Sequence, residues 1–172
     1  MESKELVEAA ERAHEPHEKR IGLTMAVVAV LLACCTMLGH RTHTEEVVLQ
    51  TRAADQWAYY QAKNNRSQMY GADAKLAALL GHNGLQQAAE FSRAAEEQKK
   101  GAGEVRKEAE GLEHETVGTA HKAKYFDISE VLLEISIVLC SITLLTRSAI
   151  FWRLSFVSTA AGAVLGSVAA LR

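Results

Sequence analysis

Three stretches of this chain are apolar enough, over enough residues, to cross a bilayer. The first, from Ile21 to Gly39, reads IGLTMAVVAVLLACCTMLG and holds no charge. About 20 apolar residues are needed to span a hydrocarbon core of about 30 Å. Ile150 to Leu171 is similar, with Arg153 near its start. Ile128 to Thr146 reads ISEVLLEISIVLCSITLLT and carries Glu130 and Glu134. The pattern predicts transmembrane helices over 21–40, 126–146 and 150–171. A short connection, 147–149, joins the last two, and a polar, amphipathic segment covers 1–20.

Residues 41–125 are polar, rich in alanine and free of proline. One strong turn signal interrupts them, Gly81-His82-Asn83-Gly84, whose glycines permit positive φ. It lies almost midway, so each arm would be roughly 60 Å long at about 1.5 Å per residue. Equal arms suit a chain that leaves a membrane and returns to the same face. The expected fold is therefore an all-α membrane protein. It has three transmembrane helices and a long antiparallel extramembrane helical hairpin, coiled-coil-like, between spans one and two.

The returning arm shows why. Ala88, Phe91, Ala95, Gln98, Ala102, Val105, Ala109 and Leu112 alternate steps of three and four. The stripe continues through Thr116, Thr119, Ala123, Phe126, Glu130, Leu133, Ile137, Cys140 and Leu144. A heptad repeat without a phase break predicts one helix from about 85 to 146, partly in water and partly in lipid. Pairing about the turn then places Trp57 near Glu108 and Ala109, Glu130 near Cys35, and Glu134 near Leu31. Gly101, Gly103 and Gly111 weaken this arm.

The composition agrees. Of 172 residues only one is proline and 6% are aromatic, while the net charge is -2. Long helices suit that composition, and a nucleic-acid binder driven by bulk positive charge does not. Cys34, Cys35 and Cys140 all fall in apolar spans with no CxxC spacing, which suits packing better than metal or redox chemistry. Leu31-Leu32-Ala33-Cys34 loosely resembles a lipobox, but the Glu-rich region before it suits an export signal poorly, so the segment is expected to be retained.

Four features carry possible function. Asp127, Glu130, Glu134 and Ser141 share one face of the second span. A carboxylate there costs at least about 2.5–3.5 kcal/mol and needs a partner or a proton. The face reads as an ion or proton path. The plainer reading is a protonated Glu bonded to Thr36, Ser136 or a neighbouring subunit. Ser158, Gly162, Gly166 and Ala170 recur every four residues on the third span and include a GxxxG, which suits self-association or packing against the first two spans. Trp57, Tyr59 and Tyr60 stand together in an aromatic-poor chain. One seam cannot bury all three, so at least one is surplus and open to a partner or oligomer contact. The seven histidines form no convergent set: His14 and His17, and His40 and His43, lie near opposite ends of the first span, so no metal site is expected. Leu6, Val7, Ala10 and Ala13 give the first segment an apolar face, on a membrane surface or simply solvated.

Nothing resembles a nucleophile elbow, a phosphate loop, an HExxH or a dinucleotide fingerprint. No enzyme activity, cofactor, nucleic acid or small-molecule substrate is expected.

The run Asp55-Gln56-Trp57-Ala58-Tyr59-Tyr60-Gln61-Ala62-Lys63 resembles the signature of an uncharacterised bacterial membrane family. Gly39-His40, Leu145-Thr146-Arg147 and Phe151-Trp152 fit it as well. The family is catalogued as domain of unknown function four-three-three-seven. The resemblance covers about residues 20–170 and implies a bacterial inner-membrane protein of this three-span plan, with no known activity. Glu130 and Glu134 lie outside its motif, which favours the aromatic cluster as the functional surface.

Basic residues near the spans set orientation. Lys4, Arg12, Lys19, Arg20, Arg147 and Arg153 lie on one side; Arg41, Arg52, Lys122, Lys124 and Arg172 lie on the other. The small excess favours a cytoplasmic N-terminus and a periplasmic hairpin. The reading that follows is a structural or interaction module in the lipid bilayer, forming a homo-oligomer or docking a partner membrane protein. The alternative is an oligomeric ion or proton conduit lined by the acidic face.

Overall fold

The computed structural model describes residues 18–171, and the helical backbone is traced from Glu2. The side chains of Leu6, Val7, Ala10, Ala13, His14 and His17, and Arg172, lie outside the described residues. Helix α1 spans Glu2–Ala78, a 3-10 turn spans Gly81–Gly84, α2 spans Leu85–Thr146 and α3 spans Ala149–Leu171. No strand occurs among the described residues. All three helices hold a stretch long and apolar enough to cross a membrane. The range of α2 is the one that the unbroken stripe predicts.

The chain divides into two compact units. Met1–His43 with Ala120–Arg172 make an apolar unit, and Thr44–Thr119 make an alanine-rich unit.

In the alanine-rich unit the buried positions are Leu49, Ala53, Ala74 and Ala77 on α1, with Ala102, Val105 and Ala109 on α2. Small side chains let the two backbones approach closely. Tyr70 stacks on Phe91 with centroids 6.3 Å apart, and Ser67 Oγ donates to the carbonyl of Ala95 at 2.8 Å. Gly81 takes the left-handed φ of 67° that glycine alone adopts freely. Gly84 has a different reason to be glycine. A Cβ there would collide with the carbonyl oxygen of Ala77.

The apolar unit is built on small polar side chains as much as on hydrocarbon. Ile21, Val28, Phe126, Leu133 and Cys140 are almost fully buried, and so are Ser129, Ser136, Thr143 and Ser155. Ser129 donates to the carbonyl of Gly162 at 2.7 Å, Ser136 to that of Ser155 at 3.0 Å, and Ser158 to that of Leu132 at 2.6 Å. Cys140 Sγ meets Ser155 Oγ at 3.3 Å. Hydroxyls buried this way cost little, because each has an acceptor, and small residues admit close helix packing without a hydrophobic drive from lipid. Helix α3 begins at Ala149, so Arg147 and Ser148 alone separate it from α2.

Candidate functional sites

The run Asp55–Lys63 lies in α1 within the alanine-rich unit. Helical spacing turns Gln56, Tyr60 and Lys63 toward α2, where all three are half-buried, and leaves Asp55, Ala58, Tyr59 and Ala62 outside. Trp57 meets Tyr60 edge to face, with centroids 5.7 Å apart and planes at 85°. Tyr59 stays 50% exposed. Lys63 Nζ sits 5.2 Å from the centre of the Tyr59 ring, a cation–π distance. The same ammonium lies against α2 at Gly101, where an added Cβ would come within 2.9 Å of Nζ. Lys63 therefore crosses the seam on a path that glycine opens.

On α2, Arg106 donates from Nε to Glu110 Oε1 at 2.8 Å. That bond and the Glu110 charge, with a smaller contribution from Tyr60, hold the guanidinium above its ordinary range. The cluster thus joins exposed aromatic surface to fixed charges of both signs. Gln98, on the same seam, buries its Oε1 with no hydrogen-bond partner among the described residues. A groove of about 550 Å³ nearer the turn is walled by Gly71, Ala74, Ala78, Ala88 and Ser92, among others.

In the apolar unit, Thr36 Oγ1 donates to Glu130 Oε1 at 2.7 Å, and His43 Nε2 lies 2.8 Å from Asp127 Oδ1. Glu130 is half-buried; Glu134 is exposed, one turn further along α2. Ser141 spends its hydroxyl on the carbonyl of Ile137 in its own helix at 3.0 Å, and Ser136 turns to α3. The sequence places His43 near one end of the first span and gives no sign of this contact with Asp127.

The ladder on α3 is taken up within the chain. Gly162 and Gly166 are buried. A Cβ at Gly162 would lie 3.1 Å from Leu133 Cγ and from the Ser129 carbonyl oxygen; one at Gly166 would lie 2.9 Å from Ser129 Oγ and 3.0 Å from Cys35 Sγ. Ser158 is bonded to α2, and only Ala170 of the four is exposed. Of the two uses the sequence allowed, packing within the chain is seen here: Gly162 seats against α2, and Gly166 against α2 and Cys35 of α1. Among the described residues no group of three or more His, Cys, Asp or Glu is placed to hold a metal ion.

The fold defines an all-helical protein with three helices able to cross a membrane. The chain belongs to the family described as Domain of unknown function (DUF4337), whose profile matches residues 17–172. No curated protein and no solved structure gives a significant match.

Proposed function

We propose that this protein is a non-enzymatic membrane module whose polar middle section is an antiparallel helical hairpin that docks a partner membrane protein. Three contacts support the hairpin: Tyr70 with Phe91, Ser67 with Ala95, and Lys63 with Gly101. The partner residue on α2 rises as the one on α1 falls. The observation that carries the docking reading is Tyr59. An aromatic ring half open to solvent, held on a rigid helix and capped by Lys63, matches the residues that dominate protein interfaces. In this reading the protein sits in a bacterial inner membrane, with its N-terminus in the cytoplasm and the hairpin in the periplasm.

Photo-crosslinking from position 59 in cells, followed by mass spectrometry of the adduct, tests it. A discrete adduct from position 59 is the expected result. No adduct from position 59, against adducts from a control position such as Ala89, overturns it.

A second reading rests on Glu134, a carboxylate exposed on a span. It is an oligomeric ion or proton conduit lined by Asp127, Glu130 and Glu134. Glu130 is already bonded to Thr36 and Ser141 to its own helix, which weakens a continuous path. Flux in liposomes that Glu134→Gln abolishes would favour it, and flux unchanged by that variant would remove it.

A further inference from the structure

The corner where α2 gives way to α3 holds two arginines and a groove that neither reading uses. Helix α2 closes on Arg147, a non-glycine residue at φ 55°, whose amide donates to the carbonyl of Thr143 at 2.8 Å. This left-handed cap usually falls to glycine. The first turn of α3 carries no acidic residue. One turn into α3, Arg153 borders an open groove of about 600 Å³ along α3, lined by Ile150, Phe151, Leu154 and Val157. Ligand pockets commonly measure about 300–1,000 Å³. Beside it Trp152 and Phe156 meet edge to face at 5.3 Å, the kind of aromatic pair that sits at headgroup level.

No carboxylate of the described residues, Glu18 of α1 included, pairs with either cation, Arg147 or Arg153. Helix α3 contains no acidic residue, and Glu134, the nearest one upstream on α2, lies 13 residues before Arg147. That separation is about 20 Å along a helix. A guanidinium beside a hydrocarbon groove is half of a site for a molecule with an anion at one end and hydrocarbon at the other. The start of α3 adds peptide N–H groups, whose dipoles favour phosphate.

In a chain with three helices able to cross a bilayer, the molecule of that chemistry within reach is a phospholipid. We infer that the α2–α3 corner binds one acidic phospholipid, its phosphate held by Arg153 and Arg147 and an acyl chain lying along Ile150, Phe151, Leu154 and Val157. A zwitterionic lipid offers the same chain and phosphate, but its own cation opposes the two arginines. The site therefore selects net negative headgroups. The inference does not depend on the docking reading.

Native mass spectrometry of the full chain in detergent tests it, with phosphatidylglycerol and phosphatidylcholine of matched acyl chains as probes. The expected result is one bound phosphatidylglycerol, preferred at least about fivefold, the factor that one arginine near an anionic surface supplies. Arg153→Gln with Arg147→Asn, the latter tolerant of the left-handed backbone, should erase the preference at unchanged helicity. Arg41→Gln, at the other end of the first span, should keep it. Leu154→Trp should fill the groove and lower lipid binding with no change of charge. Equal binding of both lipids by the wild-type chain, or an intact preference in the arginine variant, overturns the site. Competition by glycerol phosphate as strong as by the whole lipid also overturns it, because the groove would then contribute nothing. If the arginine variant fails to fold, the lipid comparison and Leu154→Trp decide the matter.

Discussion

Thr36 and Glu130 lie 94 residues apart in sequence and share a 2.7 Å hydrogen bond across α1 and α2. The threonine supplies the donor that a carboxyl group needs on a span helix, so the acidic face is at this point part of the packing. Thr36→Val keeps the shape and removes the hydroxyl. It should destabilise the fold by about 1 kcal/mol, the scale of hydrogen bonds between membrane helices. Unfolding in mixed micelles measures this. A double-mutant cycle with Glu130→Gln should show the two changes to be coupled, and strict additivity would mean that the bond contributes nothing.

Trp57 and Tyr59 should separate structure from recognition. Trp57→Ala removes a half-buried ring packed on Tyr60 and should lower stability by about 1–2 kcal/mol. Tyr59→Ala loses only its contact with Lys63 and should stay within about 1 kcal/mol of the parent. Partner capture should nonetheless fall more on Tyr59→Ala than on any neighbouring exposed substitution. Thermal melts beside co-purification yields give both numbers.

Glycines in this chain should divide by what surrounds them. At Gly166 a valine must displace Ser129 Oγ and Cys35 Sγ, and about 1–3 kcal/mol of overpacking cost is expected. Nothing lies within 4 Å of a Cβ at Gly111. There Gly111→Ala should stabilise the helix by about 1 kcal/mol. Opposite signs at the two positions, read by the same melt, would confirm the internal seating of α3; a harmless valine at Gly166 would contradict it.

Gln98 offers a stabilising change. Its buried Oε1 lacks a partner, and a group left so costs about 1–3 kcal/mol. Gln98→Leu should raise the melting temperature. A drop would show that the amide finds a partner in solution.

Much of the helical layout was legible because one physical rule spans water and lipid alike. The stripe from Ala88 to Cys140 keeps one helix face inward whatever the solvent, so the limits of α2 followed from spacing alone. The matching stripe on α1 was harder to see. Ile21, Val28, Leu49, Ala53, Ala74 and Ala77 are all buried and all fit a single repeat of fours and threes. Between them the seam carries Gln56, Lys63 and Ser67, polar residues that hide the periodicity from any reading based on hydropathy. Lys63 is tolerated there because Gly101 leaves room, a relationship between two helices that neither helix announces. The α3 ladder was ambiguous for a related reason. Small residues mark close packing but do not say with which helix, and it took Ser129 and Leu133 to answer.

The two-residue connection at Arg147 bears on how the chain enters a membrane. With so little slack, α2 and α3 would enter a bilayer as a paired unit. The hydroxyls of Ser129, Ser136 and Ser158 are then satisfied by the neighbouring helix before either meets hydrocarbon. Inserted singly, α2 would carry two glutamates and two open hydroxyls, those of Ser129 and Ser136, into lipid. Joined at the corner, the pair presents most of its polarity to itself, and the short connection acts as an assembly device during biogenesis as well as a turn in the finished fold.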